Sequence, residues 1–153
     1  MGYETSISGE FEITPKLPDA FVRRFNRIAD IANGLTGSFG NEYPHDPPPE
    51  NIEGCCDWRL KQVTGAPLPP YECTRLAIGD GGEYGKFYGF EDWLAYAVRR
   101  IVRENPGLKF VGCVTWDGDD SEDYGQLVVG DGGEVIVYHG EVTYTEYERY
   151  PAP

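Results

Sequence analysis

Between Thr5 and Thr14 the chain alternates without a slip. Thr5, Ile7, Gly9, Phe11 and Ile13 fall on one side; Ser6, Ser8, Glu10, Glu12 and Thr14 fall on the other. Successive side chains of a strand point to opposite faces, so this segment is a half-buried strand with one apolar and one wet face. Antiparallel sheets are the ones that leave a face to water, and the apolar face then needs a second layer. That layer follows at once. Pro15 and Pro18 end the strand, and Pro18-Asp19 suits a helix start. Phe21, Val22, Phe25, Ile28, Ala29 and Ala32 then recur at helical spacing. A helix is predicted from about Asp19 to Asn33, with Asn33-Gly34 as its C-cap.

The remaining pattern repeats this pairing of sheet and helix. Gly34, Gly37, Gly40, Pro44, Pro47, Pro48 and Pro49 break all periodicity over 34–54, which reads as a long loop. Cys56 to Val63 is a short strand, Gly65 to Pro70 a turn, and Glu72 to Ile78 a second strand. In Phe90 to Glu104, the residues Trp93, Leu94, Ala97, Val98, Ile101 and Val102 make one stripe, the strongest helix signal in the chain. Asn105-Pro106-Gly107 stops it. Phe110 to Trp116 is a strand, and Gln126–Val129 with Glu134–Tyr138 make a hairpin around Gly130-Asp131-Gly132-Gly133. Gly140 bends the last strand, and Glu141 to Tyr147 continue it. The order reads β-α-β-β-α-β-β. The expected fold is α+β: a mostly antiparallel sheet with both helices on one face and the other face wet. At 153 residues the chain fits one domain, 1–153.

Charge narrows the partners. Thirteen Lys and Arg against 26 Asp and Glu give a net charge of −13. Nucleic-acid affinity comes largely from cations displacing counterions, so direct nucleic-acid binding is not expected. An anionic membrane surface is disfavoured for the same reason. Arg23, Arg24 and Arg27, and then Arg99, Arg100 and Arg103, read as solvated helix faces. A basic protein surface is the natural electrostatic partner. No apolar run approaches the ~18–20 residues of a membrane span. The opening Met1-Gly2-Tyr3-Glu4-Thr5 lacks signal-peptide character, so a cytoplasmic setting is expected.

The cysteines and histidines add no catalytic set. Cys55, Cys56, Cys73 and Cys113 show no Cys-x-x-Cys spacing and no disulfide framework. They are expected to be reduced and mostly buried, with no metal and no cofactor. A Cys55/His45 pair is the one nucleophile–base arrangement the sequence allows, and a structural thiol is the favoured reading. Asp117, Asp119, Asp120, Glu122 and Asp123 crowd five carboxylates together. Counted from Asp117, the sixth position is Glu122 and the twelfth is Val128, so the EF-hand pattern fails. A solvated acidic turn is favoured, with a looser cation site left open. Asp80-Gly81-Gly82-Glu83 and Lys86 lack the ending of a phosphate loop and read as a turn. Tyr144, Tyr147 and Tyr150 recur among Glu146 and Glu148, as interface aromatics do when a partner is basic.

Four segments of the chain resemble a family of small, uncharacterised bacteriophage, prophage and plasmid proteins. They are Met1-Gly2-Tyr3-Glu4-Thr5 with Ser8-Gly9-Glu10-Phe11; Gly54-Cys55-Cys56-Asp57-Trp58; Asp80 to Tyr88 running into Glu91-Asp92-Trp93-Leu94; and Gly112 with Trp116-Asp117-Gly118-Asp119-Asp120 and Asp123-Tyr124-Gly125. The chain departs at Cys55-Cys56-Asp57, where the family tends to carry Trp-Cys-Gln. The resemblance implies a phage or mobile-element origin and the interior of a host cell. It supplies no activity. The expected function is a non-enzymatic accessory protein that binds a host protein with a basic surface, such as a defence or replication factor. The expected contact residues are Cys55, Trp58, Asp80, Glu83, Lys86, Trp116, Asp119, Asp120 and Asp123, with no catalytic or metal-binding residue. Two other readings stay open. One is an acidic DNA mimic that occupies a nucleic-acid-binding site. The other is a small-ligand or cation-binding protein, or an enzyme, built on Asp80, Glu83, Lys86 and Cys55/Cys56.

Overall fold

The computed structural model describes residues 5–32, 47–48, 56–64, 72–78, 89–141, 145–146 and 148–152. Its elements are β1 (Thr5–Thr14), α1 (Asp19–Ala32), β2 (Trp58–Thr64), β3 (Glu72–Ile78), α2 (Phe90–Glu104), β4 (Lys109–Gly118), β5 (Tyr124–Val129) and β6 (Val135–His139). The strands form one six-stranded sheet in the order β2-β3-β1-β4-β5-β6. Every pairing is antiparallel.

The alternating first segment takes an interior position in the sheet. β1 pairs with β4 along its whole length, from Thr5↔Gly118 to Thr14↔Lys109. Its other edge pairs with β3 from Phe11↔Leu76 to Ile13↔Thr74. Ile7, Phe11 and Ile13 are buried, as the alternation requires. Gly9 shows why this pairing tolerates no side chain there: it has φ +100, and a Cβ would sit 2.5 Å from the Cys113 carbonyl oxygen.

Both helices cover the same face. Phe21, Phe25 and Ile28 of α1, and Trp93, Leu94, Ala97, Val98 and Ile101 of α2, join Phe11, Leu76, Val114 and Leu127 in one core cluster. The helices are tied to each other where Arg24 meets Glu104 at 2.8 Å and Arg100 meets the same carboxylate at 3.5 Å. The opposite sheet face carries Ser8, Glu10, Arg75 and Thr115, with Ser8 Oγ 3.1 Å from Thr115 Oγ1.

Polar clasps close two places that burial alone would leave open. At the β1–α1 connection, the Thr74 hydroxyl accepts from the Leu17 N–H at 2.9 Å and donates to Gln62 Oε1. The Gln62 amide in turn donates to the Leu17 carbonyl and to Asp19 Oδ1. At the β2 edge, Asn26 of α1 donates to the Leu60 carbonyl at 2.9 Å and accepts from the Leu60 N–H at 2.8 Å. The side-chain amide thus stands where the backbone of another strand would stand.

Two expectations are corrected. The order β-α-β-β-α-β-β counts one strand too few after the second helix, where the three segments expected to be strands form β4, β5 and β6. The last strand ends at His139, and Gly140, Glu141, Thr145 and Glu146 lie in no strand, while Val142, Thr143, Tyr144 and Tyr147 of the expected continuation lie outside the described residues. The Gly140 N–H is turned back to the Tyr124 carbonyl at 2.8 Å, which closes the β5–β6 pairing there. The predicted 34–54 loop lies outside the described residues except for Pro47 and Pro48, and so does the Asn33-Gly34 cap. Among the described residues Cys56, Cys73 and Cys113 are free thiols, the first two buried. No described helix is long and apolar enough to cross a membrane.

Candidate functional site

The acidic turn stands on a buried aromatic base. Ile7, Trp116, Gly125 and His139 occupy one row across β1, β4, β5 and β6. Trp116 is 5% exposed. Its six-membered ring lies over Gly125, where a Cβ would come within 2.2 Å of Cη2. Only glycine leaves room for the indole to cross β5 and meet His139 edge-on, with ring centroids 5.6 Å apart. Phe90, at the start of α2, packs against the same indole at 5.5 Å.

From that base the turn is braced by hydrogen bonds. The Trp116 indole N–H donates to Asp123 Oδ1 at 3.0 Å. The Gly118 N–H donates to the Asp123 carbonyl at 2.7 Å, and the Asp123 N–H to the Asp120 carbonyl at 3.0 Å. Asp119, Asp120, Ser121 and Glu122 are exposed, and a shallow open hollow is lined by residues Asp120 to Asp123. The carboxylates are therefore presented on a turn whose ends are fixed.

Two residues that sequence reasoning missed complete this end of the sheet. Glu91, in the first turn of α2, has its pKa raised, first by burial. Asp92 and Asp123 push it further up, while His139 and a bond to the Glu91 backbone pull it down. Glu91 thus feels the charge of Asp123 and of His139, although the three come from α2, the β4–β5 turn and β6. His139 sits in no local motif, and Glu91, although it lies in a segment that carries the resemblance, is not among the expected contact residues. Their approach depends on the Gly125↔His139 register and on the packing of α2, which the linear sequence does not display.

The expected contact residues divide into three groups. Asp119, Asp120 and Asp123 come together at the turn, and Trp116 lies beneath them, buried, where it braces the turn and offers little surface to a partner. Trp58 lies elsewhere: it is fully buried, its indole N–H donates to the Phe90 carbonyl at 2.9 Å, and its ring faces Phe11. Its role is to seat the start of α2, and it offers no surface to a partner. Cys55, Asp80, Glu83 and Lys86 lie outside the described residues, as do His45, Tyr144 and Tyr147. Among the described residues no group of three or more His, Cys, Asp or Glu side chains is arranged to hold a metal ion.

Charge is divided along the sheet. Between Phe110 and Glu148 the chain has ten Asp and Glu and no Lys or Arg. This stretch supplies β4 after its first residue, Lys109, with β5, β6 and their turns. At the far edge, Arg59, Lys61 and Arg75 line a hollow of about 490 Å³ together with Glu10 and Asn26. There Arg59 pairs with Asp30 at 3.1 Å, and Arg75 with Glu10 at 3.5 Å. Arg59 and Arg75 at this edge thus have acidic neighbours, and the exposed carboxylates of the β4–β5 turn lie in a stretch of sequence rich in acids. The geometry suits hydrogen-bond acceptance from Lys and Arg side chains of another molecule. No protein-family model, curated protein or solved structure matches the chain.

Proposed function

We propose that the protein is a non-enzymatic accessory protein of a phage or mobile element that binds a host protein through a basic surface of that partner. The observation that carries this reading is the braced acidic turn. Asp119, Asp120 and Glu122 are exposed on a loop anchored by the Trp116–Asp123 bond. A fixed loop loses less conformational entropy on association than a free one, so its charge acts with less penalty. Carboxylates of one sign over β4 to β6 would steer a basic partner and speed encounter.

The test is affinity capture from host lysate, with the wild-type chain and an Asp119→Asn, Asp120→Asn, Asp123→Asn variant compared across a salt series. The Asn at 123 keeps an oxygen to accept the indole N–H, so the turn is expected to hold its shape. A specific basic protein retained by wild type, released by salt, and captured more slowly by the variant supports the reading. Equal capture by both chains at all salt concentrations would falsify it.

A further inference from the structure

The two edges of the sheet are treated differently. On β2 the outward N–H and C=O of Leu60 are occupied by the Asn26 side chain. The strand also carries Arg59 and Lys61, charges that discourage further pairing. On β6 neither device is found among the described residues. Its sequence, Val-Ile-Val-Tyr-His, holds no proline, lysine or arginine, and among the described residues no strand pairs with its outer side.

The hydrogen-bond alternation says which groups of β6 face outward. Gly130 N–H donates to the Glu134 carbonyl at one end of the hairpin, and Gly140 N–H to the Tyr124 carbonyl at the other. In an antiparallel ladder hydrogen-bonded pairs alternate with non-bonded ones. The intervening bonded pairs are therefore Gln126–Tyr138 and Val128–Ile136. The N–H and C=O groups of Val135, Val137 and His139 point away from β5. They form a row three residues long, beside Val137 at 37% and Tyr138 at 54% exposure.

We propose that this row is a docking edge for an extended segment of a partner protein, with alternating β-branched side chains and basic residues at both ends. The basic flanks follow from charge complementarity. Asp131 and Glu134 lie at one end of β6, and Glu141 at the other, near the Asp117 to Asp123 turn. A second copy of this chain is the poorer occupant, because each copy carries a net charge of −13 and two copies brought together along this edge would repel. Added strands bind through main-chain hydrogen bonds and choose partners through side chains and flanking charge. The proposal rests on the reading of the protein as a binder of basic surfaces, and it names the shape of what is bound.

The probe is a synthetic peptide whose centre alternates valine and threonine and whose ends carry paired lysines. A control peptide keeps the lysines and has prolines in the centre. Binding is read by calorimetry, and amide hydrogen exchange of the intact chain is read with and without peptide. The strand peptide is expected to slow exchange at Val135, Val137 and His139 while Ile136 and Tyr138 change little, since those are already paired. Val137→Pro removes an outward N–H without touching the β5 ladder. It should weaken the strand peptide about tenfold and leave the control unchanged. If both peptides bind equally and the alternate amides do not respond, the edge proposal fails while the acidic-surface reading stands. If neither binds, both fail. Protection of the alternate amides in the free chain overturns the proposal too. If that protection grows with protein concentration, a second copy is the occupant; if it does not, the chain covers its own edge. The wild-type exchange pattern decides the matter even if Val137→Pro does not fold.

Discussion

Thr74 is the one buried polar side chain among the described residues, and its hydroxyl is engaged twice, by Leu17 and by Gln62. Valine has nearly its shape but neither its donor nor its acceptor. Thr74→Val leaves the Leu17 N–H and the Gln62 oxygen unpaired, at a cost of about 1–3 kcal/mol. Urea denaturation should show that loss, with Thr74→Ser retaining most of the stability. Glu91 poses the opposite case, because burial raises its pKa above the ordinary value. The folded chain then holds that proton more tightly than the unfolded chain. The associated stability is full below the ordinary glutamate pKa and is lost as pH rises through the raised one. Glu91→Gln removes the loss while keeping an oxygen for the backbone bond. The variant should melt higher than wild type at neutral pH, with the gain closing in acid. A variant less stable than wild type at neutral pH would overturn this account.

At the scale of elements, Asn26 shows how a helix can finish a sheet. One side chain satisfies both outward groups of Leu60, so α1 is bound to β2 by hydrogen bonds as well as by packing. Asn26→Ala should cost about 1–3 kcal/mol, because two backbone groups lose their partner together. It should also reopen the β2 edge and raise the tendency to aggregate, which light scattering at constant folded fraction would detect. This clasp was not legible in the sequence, since Asn26 sits on a helix whose apolar stripe draws attention to Phe25 and Ile28. What was legible is what local periodicity controls: β1 from its alternation, and α2 from a stripe whose Trp93, Leu94, Ala97, Val98 and Ile101 are all buried. The strand order is set by long-range pairing and left no local mark. Trp58 illustrates the same limit. A tryptophan in a short strand reads equally as contact residue or core, and only the pairing of Trp58 with Ile78 and the Phe90 carbonyl decides for the core.

Across the whole molecule, charge follows the sheet: ion pairs of Arg59 and Arg75 at the β2 and β3 edge, and ten Asp and Glu with no Lys or Arg in the sequence from Phe110 to Glu148. Such crowding works against the folded state by self-repulsion and in favour of encounter with a basic partner. The two effects separate in one variant. Asp119→Asn, Asp120→Asn, Asp123→Asn should raise the melting temperature slightly at low salt. The gain should vanish at high salt, where screening already removes the repulsion. The same change should slow association with a basic partner at low salt. A cation held by the turn predicts the reverse. Calcium would then stabilise the wild-type chain, because a ligand that binds only the folded state shifts the equilibrium towards it, and the triple variant would lose that gain. The turn here has its ends fixed by the Trp116 indole and by backbone bonds at Gly118 and Asp123, and among the described residues no group of three or more His, Cys, Asp or Glu side chains is arranged to hold a metal ion. The expected result is no calcium-dependent shift in melting temperature for either chain. A clear rise for wild type at sub-millimolar calcium, absent in the variant, would make the turn a cation site and remove the basis for the steering argument.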